Sequence, residues 1–166
     1  MSRLLVIFLF FFIYSCSSFN TEPKYTIRIF EKESPQILLM PVDIEICELT
    51  IAGMCEPSAS WTQSSKENII ISFEEILNKR NAVLMKYDKS QQNDEIIQII
   101  KLHTQVGQEI INNEYGPYEL PTKQEFDWTI GKKVQLLKNK YKTDYAIFIY
   151  FRDQYSSAER VIYNIV

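Results

Sequence analysis

The sequence predicts an α/β fold, with a mixed β-sheet and helices packed on it as a two-layer or three-layer sandwich within a single domain. Three observations predict this class. Short apolar runs of strand length occur in the first half of the chain and near its end. Between them lie two longer segments in which apolar residues recur every three or four positions. The chain has 166 residues, which is enough for one domain with a hydrophobic core but short for two.

The N-terminal segment has the layout of a secretory signal peptide. Arg3 supplies one positive charge, and an uncharged apolar run follows over residues 4–14. A helix that spans a bilayer needs about 20 apolar residues, so this run is too short to be a membrane anchor by itself. We therefore predict that residues 1–15 are removed from the mature protein.

A cysteine follows this segment directly, at position 16. The preceding Ile13-Tyr14-Ser15 resembles the bacterial lipobox, although Tyr14 is bulkier than the residue usual there. In this interpretation the Cys16 thiol receives a diacylglycerol, and acyl chains such as palmitate hold the domain on a membrane at about 0.8 kcal/mol per buried methylene. Ser17 is not the aspartate that retains such proteins in the inner membrane, so we expect the outer membrane, facing the periplasm. The alternative is an ordinary signal peptide with a cysteine near its cleavage site.

The predicted domain boundaries follow from these signals. Residues 1–15 form the signal peptide, residues 16–35 the lipidated N terminus and a polar tether, and residues 36–166 the α/β domain. Within the tether, YTIRIF at residues 25–30 alternates enough to form an edge strand.

The first half of the domain is predicted to contain two strands and a helix. ILLM at residues 37–40 is predicted to be a buried central strand, and Pro41 must end it or occupy a bulge because proline cannot donate a ladder hydrogen bond. A second strand is indicated by the alternating apolar residues Val42, Ile44 and Ile46. Ser60 and Gln63 have the spacing of a capping box, which predicts that a helix starts there. Its apolar face consists of Ile69, Phe73, Ile76 and Leu77.

The second half is predicted to contain a strand, two helices and a closing hairpin. AVLMKYD at residues 82–88 predicts a strand, and a long helix then extends to Gly116. Its apolar stripe consists of Ile96, Ile99, Ile100, His103, Val106, Ile110 and Ile111. A third helix is predicted from Asp127, which would cap it, to Tyr141. DYAIFIYF at residues 144–151 is apolar on both faces and predicts a central strand, with the final RVIYNIV as its hairpin partner.

Composition and charge argue against several classes of function. The chain has 18 basic and 21 acidic residues, so it lacks the basic face that neutralises phosphates, and we expect no nucleic-acid partner. The four glycines are scattered, which argues against a phosphate-binding loop. His103 is the single histidine and the sequence has no CxxC pair, so we expect no metal. No cofactor is expected.

Two cysteines are left once Cys16 is assigned to lipid. Cys47 and Cys55 bracket the segment CELTIAGMC, and a pair this close can form a disulfide in an oxidising periplasm. Closing such a loop would stabilise the fold by about 2.5 kcal/mol in the chain-entropy model. The alternative is two buried thiols that pack as small hydrophobic side chains. The sequence leaves both open.

The main enzymatic alternative is a periplasmic serine hydrolase. It would use Ser156 or Ser157 with His103 and a carboxylate such as Asp153. His103 falls on an apolar helical stripe, however, and the sequence has no GxSxG elbow, so we predict that the protein is not an enzyme. A further alternative is a carrier of a small ligand or lipid, with an apolar pocket between the sheet and the helices.

Four residues form the candidate interaction surface. Trp128 stands at the predicted start of the third helix, where it either packs as a hydrophobic staple or anchors a partner. Arg152, Asp153 and Tyr155 follow the predicted central strand, at the edge where α/β sheets commonly place binding sites. An ordinary surface ion pair is the simpler interpretation of the two charged residues.

Several segments together resemble an uncharacterised family of bacterial lipoproteins. The matching blocks are LLMPVDIEICELTIAGMCEP, WTQSSKENI, LPTKQEFDWTIG and TDYAIFIYFRDQYSSAER. More distantly, the arrangement is similar to the periplasmic α/β domain of the curli-secretion lipoprotein and of the Tol-system propeller protein. This resemblance implies protein binding and assembly at the cell envelope rather than catalysis. Only Cys16 takes a definite role from it, as the lipid acceptor.

The resemblance also implies that the chain departs from its relatives. Thr143 replaces an alanine and Glu159 replaces a glycine, and the family continues past this region into further strands, so we expect a shortened C terminus. The sequence therefore predicts a membrane-anchored periplasmic lipoprotein that binds an envelope protein or associates with itself.

Overall fold

The computed structural model describes residues 32–117, 120–122 and 125–165. The predicted signal peptide, the lipid acceptor Cys16 and the tether strand at residues 25–30 lie outside these ranges, so their predictions stay predictions. Within the described ranges, no helix has both the length and the apolar character needed to cross a bilayer.

The described chain confirms the α/β class. Strands and helices are interspersed along it, and two short 3₁₀ turns precede the second and third helices. The elements are β1 (Gln36–Leu39), β2 (Asp43–Leu49), β3 (Cys55–Pro57), α1 (Ala59–Lys79), β4 (Val83–Lys86), α2 (Asp94–Glu114), α3 (Gln135–Tyr141), β5 (Tyr145–Ile147), β6 (Tyr150–Ser156) and α4 (Ala158–Tyr163).

The strands form two small sheets joined end to end. One has the order β4-β1-β5 and is parallel throughout, and the other has the order β3-β2-β6, with β3 antiparallel to β2. The chain passes from β1 into β2 and from β5 into β6, so the same two segments are paired in both sheets. Two backbone hydrogen bonds of 3.0 Å continue this pairing across the junction, from Met40 N to Ile147 O and from Asp43 N to Ile149 O.

A bulge at Pro41 lies at this junction. Leu39 pairs with Ile147 on one side of it and Asp43 with Tyr150 on the other. Three residues therefore separate β1 from β2 where only two separate β5 from β6. The first segment has one extra residue, as in a β-bulge. The prediction that Pro41 ends its strand or occupies a bulge is confirmed.

Helices cover both faces of the parallel sheet. Ile37 and Leu38 are neighbours on β1, so their side chains point to opposite faces. Leu38 belongs to a buried cluster with Ile99 of α2 and Leu137 of α3. Ile37 belongs to a second cluster with Leu77 of α1. The sheet is thus the middle of three layers, and β1 is its central strand, as the sequence predicts.

Two helix starts differ from the prediction. The first helix begins at Ala59 after Ser58, and Ser58 forms no capping hydrogen bond through its side chain, so the capping box predicted at Ser60 is wrong. The third helix was predicted from Asp127 but begins only at Gln135. Gly131 adopts a φ of +83°, which a right-handed helix cannot contain, and it interrupts the helical pattern at that point.

The end of the chain also differs from the prediction. DYAIFIYF forms parts of two strands, β5 and β6, and each lies at an edge among the described strands rather than at the centre. The break falls opposite Pro41, where the bulge disrupts the pairing. The described part of RVIYNIV, residues 160–165, forms no hairpin strand, because Ser157 starts a helix by accepting a 3.1 Å hydrogen bond at Oγ from the backbone N–H of Arg160.

Candidate functional site

Arg152 is fixed by contacts within the sheet. Its Nη2 donates to Asp43 Oδ1 at 2.8 Å, and its Nη1 donates to the carbonyl oxygens of Asp43 at 3.1 Å and Phe151 at 2.9 Å. The guanidinium carbon also lies 4.0 Å from the centre of the Tyr150 ring, which is a cation–π contact. Arg152 therefore joins β6 to β2, and most of its donors are already used.

Asp43 extends this network to the second helix. Its Oδ2 accepts a 2.5 Å hydrogen bond from Thr104 Oγ1 of α2. Burial alone would raise the pKa of Asp43, but the hydrogen bonds from Thr104 and Arg152 and the charge of Arg152 outweigh it and hold the pKa below its ordinary value. The carboxylate is thus charged at neutral pH and ties α2 to both strands.

Tyr155 lies on the other face of β6, because side chains alternate along a strand and Arg152 is three positions away. Its ring centre is 5.1 Å from that of Trp61 on α1, and its hydroxyl donates to Glu48 Oε2 at 3.2 Å. Trp61 remains 57% exposed. This aromatic pair attaches the start of α1 to the edge of the sheet.

The other two residues predicted for the interaction surface lie elsewhere. Asp153 is exposed, and its Oδ1 accepts from the backbone N–H of Gln154 at 2.8 Å. Trp128 is half-buried and its Nε1 donates to Glu114 Oε1 at 2.8 Å, at the last residue of α2. The structure does not bring the four predicted residues together on one face.

The residues of the hydrolase alternative are also separated. His103 contacts Tyr150 at the start of β6, with 6.2 Å between the ring centres. Ser156 ends that strand, six residues later, which corresponds to about 20 Å at about 3.3 Å per residue. Ser157 is buried and its hydroxyl caps α4. Neither Ser156 nor Ser157 is therefore assembled into a triad with His103.

The two remaining cysteines form a disulfide. Cys47 of β2 and Cys55 of β3 are bridged across the hairpin, with 5.4 Å between their Cα atoms. This is the first of the two alternatives that the sequence left open. The bridge holds β3, whose three residues are all exposed, against the buried Cys47 on β2. Among the described residues no group of three or more histidine, cysteine, aspartate or glutamate side chains could hold a metal.

A cluster of exposed apolar side chains lies at the far end of β2 and β6. Its members come from the β2–β3 turn and from the C-terminal helix, and we call them the terminal patch: Ile51, Met54, Val161, Ile162 and Tyr163. Two hydrogen bonds hold these segments side by side, from Ser157 N to Leu49 O at 3.0 Å and from Arg160 Nη1 to Thr50 O at 3.1 Å. The sequence did not predict this patch, because RVIYNIV was expected to form a hairpin strand rather than a helix.

Comparisons of the chain with protein-family models, with curated proteins and with solved structures found no match. The resemblance to envelope lipoproteins therefore stays a prediction.

Proposed function

We propose that this protein is a lipoprotein of the bacterial cell envelope, anchored to the outer membrane through Cys16, and that its α/β domain binds an envelope protein rather than catalysing a reaction. The anchor is supported by the lipobox-like sequence before Cys16. Binding is supported by one structural observation, the terminal patch.

The terminal patch exposes several large apolar side chains. Met54 is 62% exposed, Ile162 63% and Tyr163 71%, although α2, α3 and α1 supply ample apolar faces to the core. Several large apolar side chains exposed on two adjacent segments are typical of a surface that another molecule covers. Methionine and tyrosine are also enriched at protein interfaces. The patch is therefore the best candidate for a docking surface.

The charges beside the patch favour a different protein over a second copy of this chain. Glu56 and Glu159 flank it in sequence and both are exposed, whereas the guanidinium of Arg160 is engaged with Thr50. In a symmetric dimer through this patch, both copies would bring these acidic residues to the rim of the interface, and like charges on the two sides oppose association. A partner with basic residues around an apolar centre fits better.

A site-specific cross-linking experiment in intact cells tests this interface. A photoreactive phenylalanine analogue replaces Tyr163, and the matched control carries it at Tyr115, which is equally exposed at 73% but lies at the end of α2. We expect a cross-link to one envelope protein from position 163 only, and its loss when Ile162→Glu is added. Equal products from both positions, or a cross-linked dimer of this chain alone, would contradict the proposal.

Intact-mass analysis tests the anchor separately. The protein purified from bacterial membranes should have the mass of residues 16–166 plus acyl chains, and the Cys16→Ser variant should lack the acyl mass. An unlipidated mature mass in the unaltered chain would remove the anchor from the proposal and leave the interface to be judged by cross-linking.

A further inference from the structure

An apolar cavity lies between the second half of α2 and the junction of β5 with β6. Its volume is about 290 Å³. Val106 and Ile110 line it from the helix, and Phe148 and Tyr150 line it from the strands. It reaches the surface beside Tyr115, whose side chain is 73% exposed. The cavity is on the opposite face of the sheet from α1 and is separate from the terminal patch.

His103 is, among the described residues of the cavity wall, the side chain that carries both a nitrogen donor and a nitrogen acceptor. It is 7% exposed. Its contacts are with aromatic rings, at 5.1 Å between ring centres for Phe148 and 6.2 Å for Tyr150. The Tyr150 hydroxyl, by contrast, donates to Gln108 Oε1 at 2.6 Å. Because the Tyr150 hydroxyl is already engaged, His103 is the buried polar side chain of the described wall to which a ligand would hydrogen-bond.

The wall of the cavity favours an uncharged ligand. Burial lowers the pKa of His103, and although the negative charge of Asp43 raises it and the positive charge of Arg152 lowers it further, the net pKa lies below its ordinary value. The imidazole is therefore neutral at neutral pH, with one N–H donor and one acceptor nitrogen. No lysine, arginine, aspartate or glutamate is among the described residues that line the cavity. A charged ligand would lose its hydration there without gaining an opposite charge.

We propose that this cavity binds a small, uncharged and mainly aromatic or aliphatic molecule through one hydroxyl or amide group that hydrogen-bonds to His103. The size of the ligand follows from the volume. An engineered apolar cavity of about 150 Å³ holds one benzene ring, so a cavity of roughly twice that volume suits two fused rings or a chain of comparable size. This site is independent of the terminal patch and of the lipid anchor.

The single histidine gives a direct test. The full chain is produced with isotope-labelled histidine and without a histidine tag, so that all imidazole NMR signals arise from His103. Three probes of the same ring size are titrated in identical buffer and detergent: 2-naphthol, naphthalene and 2-naphthoate. We expect saturable shifts with 2-naphthol, about fivefold weaker binding of naphthalene because it lacks the hydrogen bond, and at least about tenfold weaker binding of 2-naphthoate because its charge is unpaired.

Two variants locate the binding site. Ile110→Trp fills the cavity and should abolish the shifts, and Val106→Phe serves as a milder filling variant if the first does not fold. Leu102→Trp is the control, since Leu102 lies on the same helix, is 43% exposed and does not line the cavity. The proposal is overturned if 2-naphthol produces no saturable shift, if 2-naphthoate binds as tightly as 2-naphthol, or if the folded filling variants bind like the unaltered chain.

Discussion

The contact between α2 and β6 depends on a glycine. Gly107 faces Tyr150, and a Cβ atom added at Gly107 would lie 2.7 Å from Cβ and 2.8 Å from Cδ1 of Tyr150. The tyrosine cannot swing away freely, because its hydroxyl is bonded to Gln108 and Arg152 stacks on its ring. Replacing Gly107 with alanine should therefore push the helix away from the strand.

The expected magnitude follows from two opposing effects. Carbon atoms in contact prefer about 3.5–4.0 Å, so α2 or β6 must move by about 1 Å. Overpacking of this kind costs about 1–3 kcal/mol. Alanine is a better helix former than glycine, so the substitution also stabilises the helix by up to about 1 kcal/mol. We expect Gly107→Ala to lower the free energy of unfolding by about 1–2 kcal/mol and the Tm by about 3–6 °C.

The assay is chemical denaturation with a double-mutant cycle. Tyr150→Ala removes the ring atoms that meet the new methyl, so the cost of Gly107→Ala should fall by about 1 kcal/mol in that background. The control is Gly131→Ala, which meets no atom within 4 Å but has a φ of +83°, so it is destabilised by backbone strain alone. Its effect should be additive with Tyr150→Ala. A gain in stability from Gly107→Ala would refute the close packing.

Three further predictions concern other parts of the domain. Replacing Cys47 and Cys55 with alanine should lower the free energy of unfolding by about 2.5 kcal/mol, and a reductant should destabilise the unaltered chain but not this variant. The free energy of unfolding should fall as pH is lowered below about 6.5. Burial lowers the pKa of His103, so the unfolded chain takes up a proton at a higher pH than the folded chain does. The His103→Phe variant should lose this dependence of stability on pH. The Tyr141 hydroxyl is buried with no hydrogen-bond partner among the described residues, so Tyr141→Phe should stabilise the fold by about 1 kcal/mol. A lower Tm for this variant would instead show that the hydroxyl binds a buried water.

Much of the fold could be predicted from local patterns. The run ILLM and the segment around β4 have strand composition, and both form adjacent parallel strands. The long helix α2 follows its apolar stripe, and Asn93 caps it by accepting a 2.9 Å hydrogen bond at Oδ1 from the backbone N–H of Ile96. These elements are predictable because each is buried in the core, so α2 shows the helical period of its apolar face and the strands are short apolar runs.

The errors have a common physical cause, because each depends on backbone geometry that residue type does not reveal. The apolar spacing from Trp128 to Tyr141 fits a helix, yet Gly131 at positive φ separates the first part from the second. The final apolar run fits a strand, yet the cap at Ser157 starts a helix instead. Apolar content alone does not distinguish these outcomes for short segments.

The sequence pointed to Arg152 as a candidate site residue but did not reveal which residue it contacts. Arg152 was singled out with Asp153, its neighbour in sequence, whereas its ion-pair partner is Asp43, which lies 109 positions earlier. Side chains of adjacent strand residues point to opposite faces, so Arg152 and Asp153 could not share one face. Identifying Asp43 requires the register of β2 against β6, which the sequence does not contain.

That register is set by the bulge at Pro41, and the bulge also determines which side chains each helix receives. Before it, even-numbered Leu38 faces α2 and odd-numbered Ile37 faces α1. After it, odd-numbered Asp43 bonds to Thr104 of α2, while the backbone of Ile46 bonds to Thr62 of α1. One extra residue therefore exchanges the two faces of the strand. Without it, buried Ile44 and Ile46 would face α2 and Asp43 would lose both Thr104 and Arg152. The position of the proline thus lets one continuous segment supply an apolar face to α1 and a charged anchor to α2.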